Sequence, residues 1–318
     1  MTVIGGANID IVARYGSKRD VFSDSFAGEI STSAGGVARN IAENLAHLGL
    51  PVRLITAIGD DDFSAIIKAS INLPNLETHV CHMASPSDTY LSLFGHDGEM
   101  LHAVNQMTLT DQLTPDYLAH LADEIKTSDL IIADCNIRPE SLSWLATLQR
   151  RPALFIDGVS SEKITRLKHC LGQLDGLKCN LKEAAALVDM PAETAPADLM
   201  DALLASGISS IILSLGSDGI LFHHADERIH MPEPPAVDQI ISVSGAGDAL
   251  FAGYIYGALN HFSNREALDL GLRAAHLSLR CAGAVNPDIT SLTKPEAGGY
   301  HDNVSQCSSL PGCGRSHR

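Results

Sequence analysis

Aromatic residues make up only 5% of this 318-residue chain, with a single Trp. That shortage leaves aliphatic side chains to fill the interior, which suits parallel sheets covered by helices. Basic residues are also scarce: 22 Lys and Arg face 38 Asp and Glu, a formal net charge of −16. Sequence-independent nucleic-acid binding runs on Lys and Arg, so the balance excludes it. Any polyanionic substrate needs local compensation from metal ions or helix ends. Cysteine pairing is missing too. The seven cysteines are scattered and odd in number, and no pair has CxxC spacing. Free thiols in a reducing cytosol fit this pattern better than disulfides or structural zinc. No charged-then-apolar leader opens the sequence and no apolar run reaches membrane-spanning length, so a cytoplasmic protein without a membrane partner is expected. Several catalytic signatures are absent: GxxxxGK[ST], GxGxxG after the first strand, GxSxG and HExxH.

What is there reads as strand–helix alternation. Val3 to Val12 forms an apolar first strand carrying Asn8 and Asp10 on one face. Gly35-Gly36 opens a helix over 37–47, stopped by Gly49 and Pro51. A second strand covers 52–59. Segments 88–94 and 99–105 predict a hairpin turning at 96–98, and 15–34 is polar and weakly strand-like. Buried strands follow at 130–134, 153–157, 176–180 and 210–215. Amphipathic segments lie near 116–126, 139–149, 161–173, 182–188 and 197–206. Segments 219–223 and 228–231 predict an antiparallel edge pair, and a helix is expected from about 265 to 281. The fold expected is a doubly wound, mostly parallel α/β sheet with helices on both faces. Residues 291–318, rich in Ser, Gly, Pro, Cys and His, read as a poorly ordered tail.

The most informative stretch is Ser242-Val243-Ser244-Gly245-Ala246-Gly247-Asp248, which opens an apolar helix over 249–259. Two glycines let the backbone turn so that N–H groups converge at the positive end of the helix dipole, a nest for an anion. Asp248 beside it can take a proton from a hydroxyl. The plainer alternative is a turn with an Asp near a helix start. Asn180 and Glu183 stand three apart at a strand end. They read either as a pair holding a magnesium hydration shell or as a helix cap. Leu215-Gly216-Ser217-Asp218-Gly219 is either a nucleotide-bordering turn or an ordinary one. Asn8, Asp10, Gly35, Gly36 and Asn40 could form a polyol-binding set.

In this order, the early Asn-Ile-Asp, the Gly-Gly helix start, Asn-x-x-Glu, Gly-Ser-Asp-Gly and Gly-Ala-Gly-Asp resemble the ribokinase-like (PfkB) carbohydrate kinase family across about residues 1–290. Within it, GANIDI at 5–10, GGVARNIAENLAHLG at 35–49, DGEMLHAVNQM at 97–107, ADCNI at 133–137 and LSLGSDG at 213–219 are similar to the branch that acts on pseudouridine. The resemblance implies ATP-dependent phosphorylation of pseudouridine at its 5′-hydroxyl. Asp248 is then the base, and the N–H groups of Gly245, Ala246 and Gly247 form the anion hole. Asn180 and Glu183 act on Mg-ATP, with Glu183 meeting Mg²⁺ through water, while Ser214, Gly216 and Gly219 border the nucleotide. Asn8, Asp10, Gly35, Gly36 and Asn40 hold the ribose. A small β lid, about 15–34 and 86–107, closes over the substrate, with Ser87, Thr89 and Asn105 on the lid and Asn136 below it lining the base pocket. Lid strands would also pair two copies into a homodimer. An exposed Asp248 would serve as it stands, without a tuned pKa. Three departures matter: Ser242-Val243 replaces the family's frequent Asp-Thr, which leaves monovalent-cation activation open; Asp157-Gly158-Val159 stands where relatives often have Asp-Pro-Val; and the last tail matches nothing in the family. Alternatives are a kinase of another ribonucleoside or of a free sugar such as ribose, and a non-catalytic ligand sensor on a kinase fold.

Overall fold

The computed structural model describes residues 1–15, 27–96, 99–232 and 240–293. In chain order it begins with β1 (Thr2–Ile4), β2 (Asn8–Tyr15), β3 (Gly28–Gly35), α1 (Val37–His47) and β4 (Val52–Ile58). Next come α2 (Asp62–Ser70), β5 (Leu76–His82), β6 (Thr89–Phe94), β7 (Met100–Gln106), α3 (Pro115–His120) and α4 (Ala122–Lys126). Then follow β8 (Leu130–Asp134), α5 (Pro139–Thr147), β9 (Ala153–Asp157), β10 (Gly176–Asn180), α6 (Leu181–Leu187), α7 (Pro196–Ala205) and β11 (Ser210–Ser214). The described chain closes with β12 (Ile220–His224), β13 (Glu227–Met231), α8 (Ala246–Leu259) and α9 (Asn264–Ser278). Nine strands form one sheet in the order β13-β12-β11-β10-β9-β8-β1-β4-β5, parallel except at β12 and β13. A second sheet holds β3-β2-β6-β7.

The central strands are aliphatic on both faces because helices cover both. Alternation sends Leu130, Ile132, Phe155 and Ile212 into a core shared with Ile41 and Leu45 of α1 and Phe251 and Ile255 of α8. Their neighbours Ile131, Leu154, Leu177 and Ile211 pack on the opposite face against Leu142 of α5 and Leu199 of α7. The doubly wound architecture expected from the sequence is therefore present, and the carboxyl ends of β8, β9, β10 and β11 carry Asp134, Asp157, Asn180 and Ser214.

One expected strand is two. The run from Val3 to Val12 breaks after Ile4, and the chain crosses from the large sheet into the small one. The cause is tertiary. Gly5 takes φ +151°, and a Cβ there would lie 2.3 Å from Oδ1 of Asp134. Oδ2 of that fully buried carboxylate accepts from the Gly6 N–H at 3.0 Å, the Ala38 N–H at 2.9 Å and Nδ2 of Asn136 at 2.9 Å. Asp134 thus pins both the crossover and the first turn of α1. Asp134→Ala would strand these buried donors, and we expect it to cost about 3 kcal/mol in urea unfolding; a loss below about 1 kcal/mol would contradict that role.

Elsewhere the elements follow the expected ranges, with three differences. Segment 161–173 forms 3₁₀ turns at Lys163–Leu167 and Leu171–Gln173 rather than an α-helix. Buried Ile164 and Leu167, three apart, satisfy either geometry. Helix α2 and edge strand β5 have no counterpart in the sequence reading, because β5 mixes exposed Glu77 and His82 into its apolar positions. A 3₁₀ segment carries ordered chain to Thr293. Of the tail, 294–318 lie outside the described residues, as do 16–26 of the polar segment and Asp97-Gly98 of the hairpin turn. Among the described residues no helix is long and apolar enough to cross a membrane. Cys81, Cys135, Cys170, Cys179 and Cys281 are free thiols, and Cys307 and Cys313 lie outside the described residues.

Candidate active site

Helix α8 begins on Gly245, which adopts a left-handed backbone with φ +79° and makes no side-chain cap. A Cβ on Gly245 would fall 1.9 Å from the carbonyl oxygen of Ala284, so only glycine fits this turn. The first N–H groups of a helix have no intrahelical partner, and among the described residues no side-chain cap takes their place. Together with the dipole they leave a helix end whose chemistry suits an anion.

Asp248 lies in that first turn, but it is buried rather than exposed, at 6%. Its Oδ2 accepts from Nδ2 of Asn40 at 2.6 Å, joining α8 to α1. Burial pushes the Asp248 carboxyl up to about 7. The negative charges of Asp157 and Asp134 add to the rise, while Lys178 and the Asn40 hydrogen bond oppose it. The expectation of an untuned, exposed carboxylate is thus corrected. Helix α8 is apolar all round, so it is packed on every side and takes its first-turn Asp inside with it.

Beneath the nest stands Lys178 of β10, whose Nζ is 2.9 Å from Oδ2 of Asp157 on β9. A Cβ on Gly247 would come within 2.6 Å of the same Nζ, so the glycine sits directly against the ammonium. Burial disfavours that charge, yet Asp157, Asp248 and Glu183 outweigh it and hold Lys178 above the ordinary lysine value. Sequence reasoning missed Lys178. A lysine between Leu177 and Cys179 in a buried strand was the available signal, since such a lysine must be paired.

Asn180 and Glu183 form a reciprocal cap. Oδ1 of Asn180 accepts from the Glu183 N–H at 2.9 Å, and Oε2 of Glu183 accepts from the Asn180 N–H at 2.9 Å. Nδ2 of Asn180 also donates to Oε1 of Glu183 at 2.7 Å. Burial, then the Asp157 charge, raises the Glu183 carboxyl. The cap that the sequence offered is present, and it places the Glu183 carboxylate near Asp157 and Lys178. Ser214 lies opposite Asn180 in the sheet register and donates to the Cys179 carbonyl at 3.3 Å. Gly216 and Gly219 bracket an exposed 3₁₀ turn just beyond it.

On the small sheet, Nδ2 of Asn8 donates to Oδ1 of Asp10 at 2.7 Å, and the Asp10 carboxylate lies over Gly35. Gly36 opens α1 against Gly6. Register puts Ser33, Asp10, Tyr90 and Asn105 in one row across the sheet. On this face Asp10 and Ser33 line a cleft with Ile241, Ser244 and Ala284 ahead of α8. Thr89 does not join it. It pairs with Ile9 and Gln106, which places it on the opposite face, and it donates to the Ser87 carbonyl at 3.1 Å. Tyr90 is the β6 residue that shares the Asp10 row. Ser87 is occupied elsewhere, donating from Oγ to the Asp61 cap of α2 at 2.6 Å. Asn136 is buried, with Nδ2 on Asp134 and Oδ1 accepting from Nζ of Lys163 at 2.6 Å. Lys163, not Asn136, is the more open end of that pair. Among the described residues, Glu77, His79 and Glu124 alone have metal-like spacing. They lie on β5 and α4, where Arg53 already pairs with both glutamates.

The sequence profile of the pfkB family carbohydrate kinases matches residues 1–291. Pseudouridine kinase of Escherichia coli K12 is 32% identical over 294 residues, covering 91% of this chain and 93% of that protein. An uncharacterised sugar kinase of the same organism, YeiI, is 33% identical over 295 residues, covering 91% and 80%. Ribokinase from Thermotoga maritima superposes with a TM-score of 0.77 at 22% identity, covering 92% of this chain and 94% of that one.

Proposed function

Because this chain belongs to the pfkB family of carbohydrate kinases, and is thereby a sugar or nucleoside kinase, we propose that it transfers the γ-phosphate of ATP to the 5′-hydroxyl of pseudouridine. One observation carries the kinase chemistry: a buried carboxylate of raised pKa stands in the first turn of a helix whose leading N–H groups are uncapped. Asn8 and Asp10 present an amide and a carboxylate suited to paired ribose hydroxyls, and Asn40 connects that side of the cleft to Asp248. The acceptor hydroxyl loses its proton to Asp248, and the Gly245, Ala246 and Gly247 amides meet the charge on the transferring phosphoryl group. Lys178 adds a fixed positive charge behind those amides.

Kinases of this family use ATP, usually with Mg²⁺. The residues present fit the ion. Carboxylates of Asp157, Glu183 and Asp248 outnumber the single Lys178 ammonium among them, and Oδ2 of Asp157 has no hydrogen-bond partner beyond that ion pair. Glu183, through water, and Asn180 would hold Mg²⁺, which would supply neutralisation of polyphosphate charge. Ser214, Gly216 and Gly219 would border the nucleotide. Ser242 at the usual acidic position leaves potassium activation a separate question for assay.

Residues 1–290 form the kinase domain in this reading, and the small sheet is its lid. The lid's outer face exposes Ile30, Leu91 and Val104, away from Asp10, and would pair two copies into a homodimer. A cytoplasmic location goes with it.

The test is a panel of pseudouridine, uridine, inosine, adenosine and ribose with Mg-ATP. We expect kcat/KM on pseudouridine about 100-fold above uridine, the range that a few polar contacts to a base can supply. YeiI favours one second reading, a free sugar as acceptor; ribose preferred over every nucleoside would establish it. No ADP release with any acceptor would leave a non-catalytic ligand sensor.

A further inference from the structure

Arg39 is 2% exposed and is among the largest fully buried side chains. A guanidinium has five donors and no acceptor, so burial demands oxygens around it. It finds them on three sides. Nε donates to the Gly35 carbonyl at 3.0 Å and Nη2 to the Ala34 carbonyl at 2.9 Å, both at the end of β3. Nη1 meets the Glu43 carboxylate one turn along α1. Nη2 also donates to Oδ1 of the adjacent Asn40.

That last contact has a directional consequence. An amide side chain can present either its oxygen or its NH₂ to a neighbour, and only the NH₂ end can support a carboxylate. Arg39 can accept nothing, so Oδ1 of Asn40 must turn to it, and Nδ2 is left facing Oδ2 of Asp248. The same guanidinium grips Ala34 and Gly35, which pair with Ile9 and Asn8 beside Asp10.

Resting on the kinase reading above, we propose that Arg39 is a positioning residue: it sets the Asn40 amide toward Asp248 and ties that setting to the strand pair that holds the acceptor. The groups facing Asp248 are Asn40 and Arg39 from α1, Asp134 from β8, Asp157 from β9 and Lys178 from β10. Arg39 is joined to Asn40, as Lys178 is to Asp157, so loss of Arg39 frees the amide that faces Asp248. Asp248 then holds its proton to higher pH.

The experiment compares wild type, Arg39→Met, Asn40→Ala and the double variant over pH 5.5 to 9.5. Arg39→Met should lower kcat about 10- to 100-fold, the size of one hydrogen bond to a charged group. The KM for ATP should stay within about twofold, and the acid limb should move up by about half a pH unit or more. The double variant should be no worse than Asn40→Ala by more than about twofold, because Arg39 acts through Asn40. Additive losses, or an unmoved acid limb, overturn the proposal. Where Arg39→Met does not fold, Arg39→Lys replaces it. One ammonium cannot serve Gly35, Ala34 and Asn40 together, so wild-type kcat in Arg39→Lys overturns the proposal as well. A wild type inactive on every acceptor defeats the kinase reading instead. Asp248 titration by carbon-13 NMR then judges Arg39 alone: a midpoint raised in Arg39→Met supports it, and an unchanged one overturns it.

Discussion

Asp248→Asn is expected to fold, to bind ATP and to turn over about 10³-fold or more slowly than wild type, the upper range for loss of a general base. An amide keeps the shape of the side chain and can still accept from Nδ2 of Asn40, so the α1–α8 contact survives. What it cannot do is take the proton. Stability separates this account from simple damage. The folded Asp248 carboxyl is raised to about 7 from its ordinary value near 3.8, so the folded state holds a proton that the unfolded chain releases between these values. Stability contributed by that proton is lost as pH rises through the window, and at pH 8 the full cost of a buried charge remains. Asn carries no such cost. The variant should therefore melt a few degrees higher than wild type at pH 8 and show no gain at pH 4. Turnover within about tenfold of wild type would refute the base assignment.

Gly245→Ala tests the nest itself. With φ at +79° an alanine is strained by about 1 to 2 kcal/mol, and its methyl would have to displace the Ala284 carbonyl, 1.9 Å from the ideal Cβ position. Either α8 retreats or the 284 segment does, and the leading N–H groups lose their common aim. We expect a loss of about 10²- to 10³-fold in kcat, the cost of removing a preorganised anion-hole donor. Destabilisation of about 2 to 4 kcal/mol in urea should accompany it. Gly283→Ala, where a Cβ would meet nothing within 4 Å, is the matched control and should change neither quantity. Wild-type kcat in Gly245→Ala would mean that the amides do not act on the phosphoryl group.

Much of this arrangement was legible in the residues. Aliphatic runs at 130–134, 153–157, 176–180 and 210–214 declare buried parallel strands, and their polar last residues mark the ligand-facing end of the sheet. Gly-Ala-Gly-Asp before an apolar run declares a helix that starts on a tight turn. Other features depend on contacts far apart in sequence. The break at Gly5 is invisible in a run whose apolar pattern continues to Val12, because Asp134 imposes it from across the sheet. The faces of the lid residues were unreadable for a different reason. The hairpin ladder shifts register between Leu93 and Phe94, and one residue of slip exchanges the two faces of a strand. Hence Asn105 lies on the Asp10 side and Thr89 does not. The burial of Asp248 lay within reach, since α8 is apolar on every side and its first turn goes inside with the rest. Lys178 and Arg39 carry charge into buried positions, and the identity of their partners is a tertiary fact.

The central claim is that a buried carboxylate with a raised pKa takes the acceptor's proton, and the pH dependence of kcat/KM with pseudouridine and Mg-ATP tests it most directly. Only the ionised Asp248 can act, so the rate should be level above about pH 8 and fall about tenfold per unit below about 7, where the carboxyl holds its proton. The acid limb should vanish from the residual rate of Asp248→Asn. A wild-type profile flat down to pH 5, or an acid limb that persists unchanged in Asp248→Asn, would contradict the account.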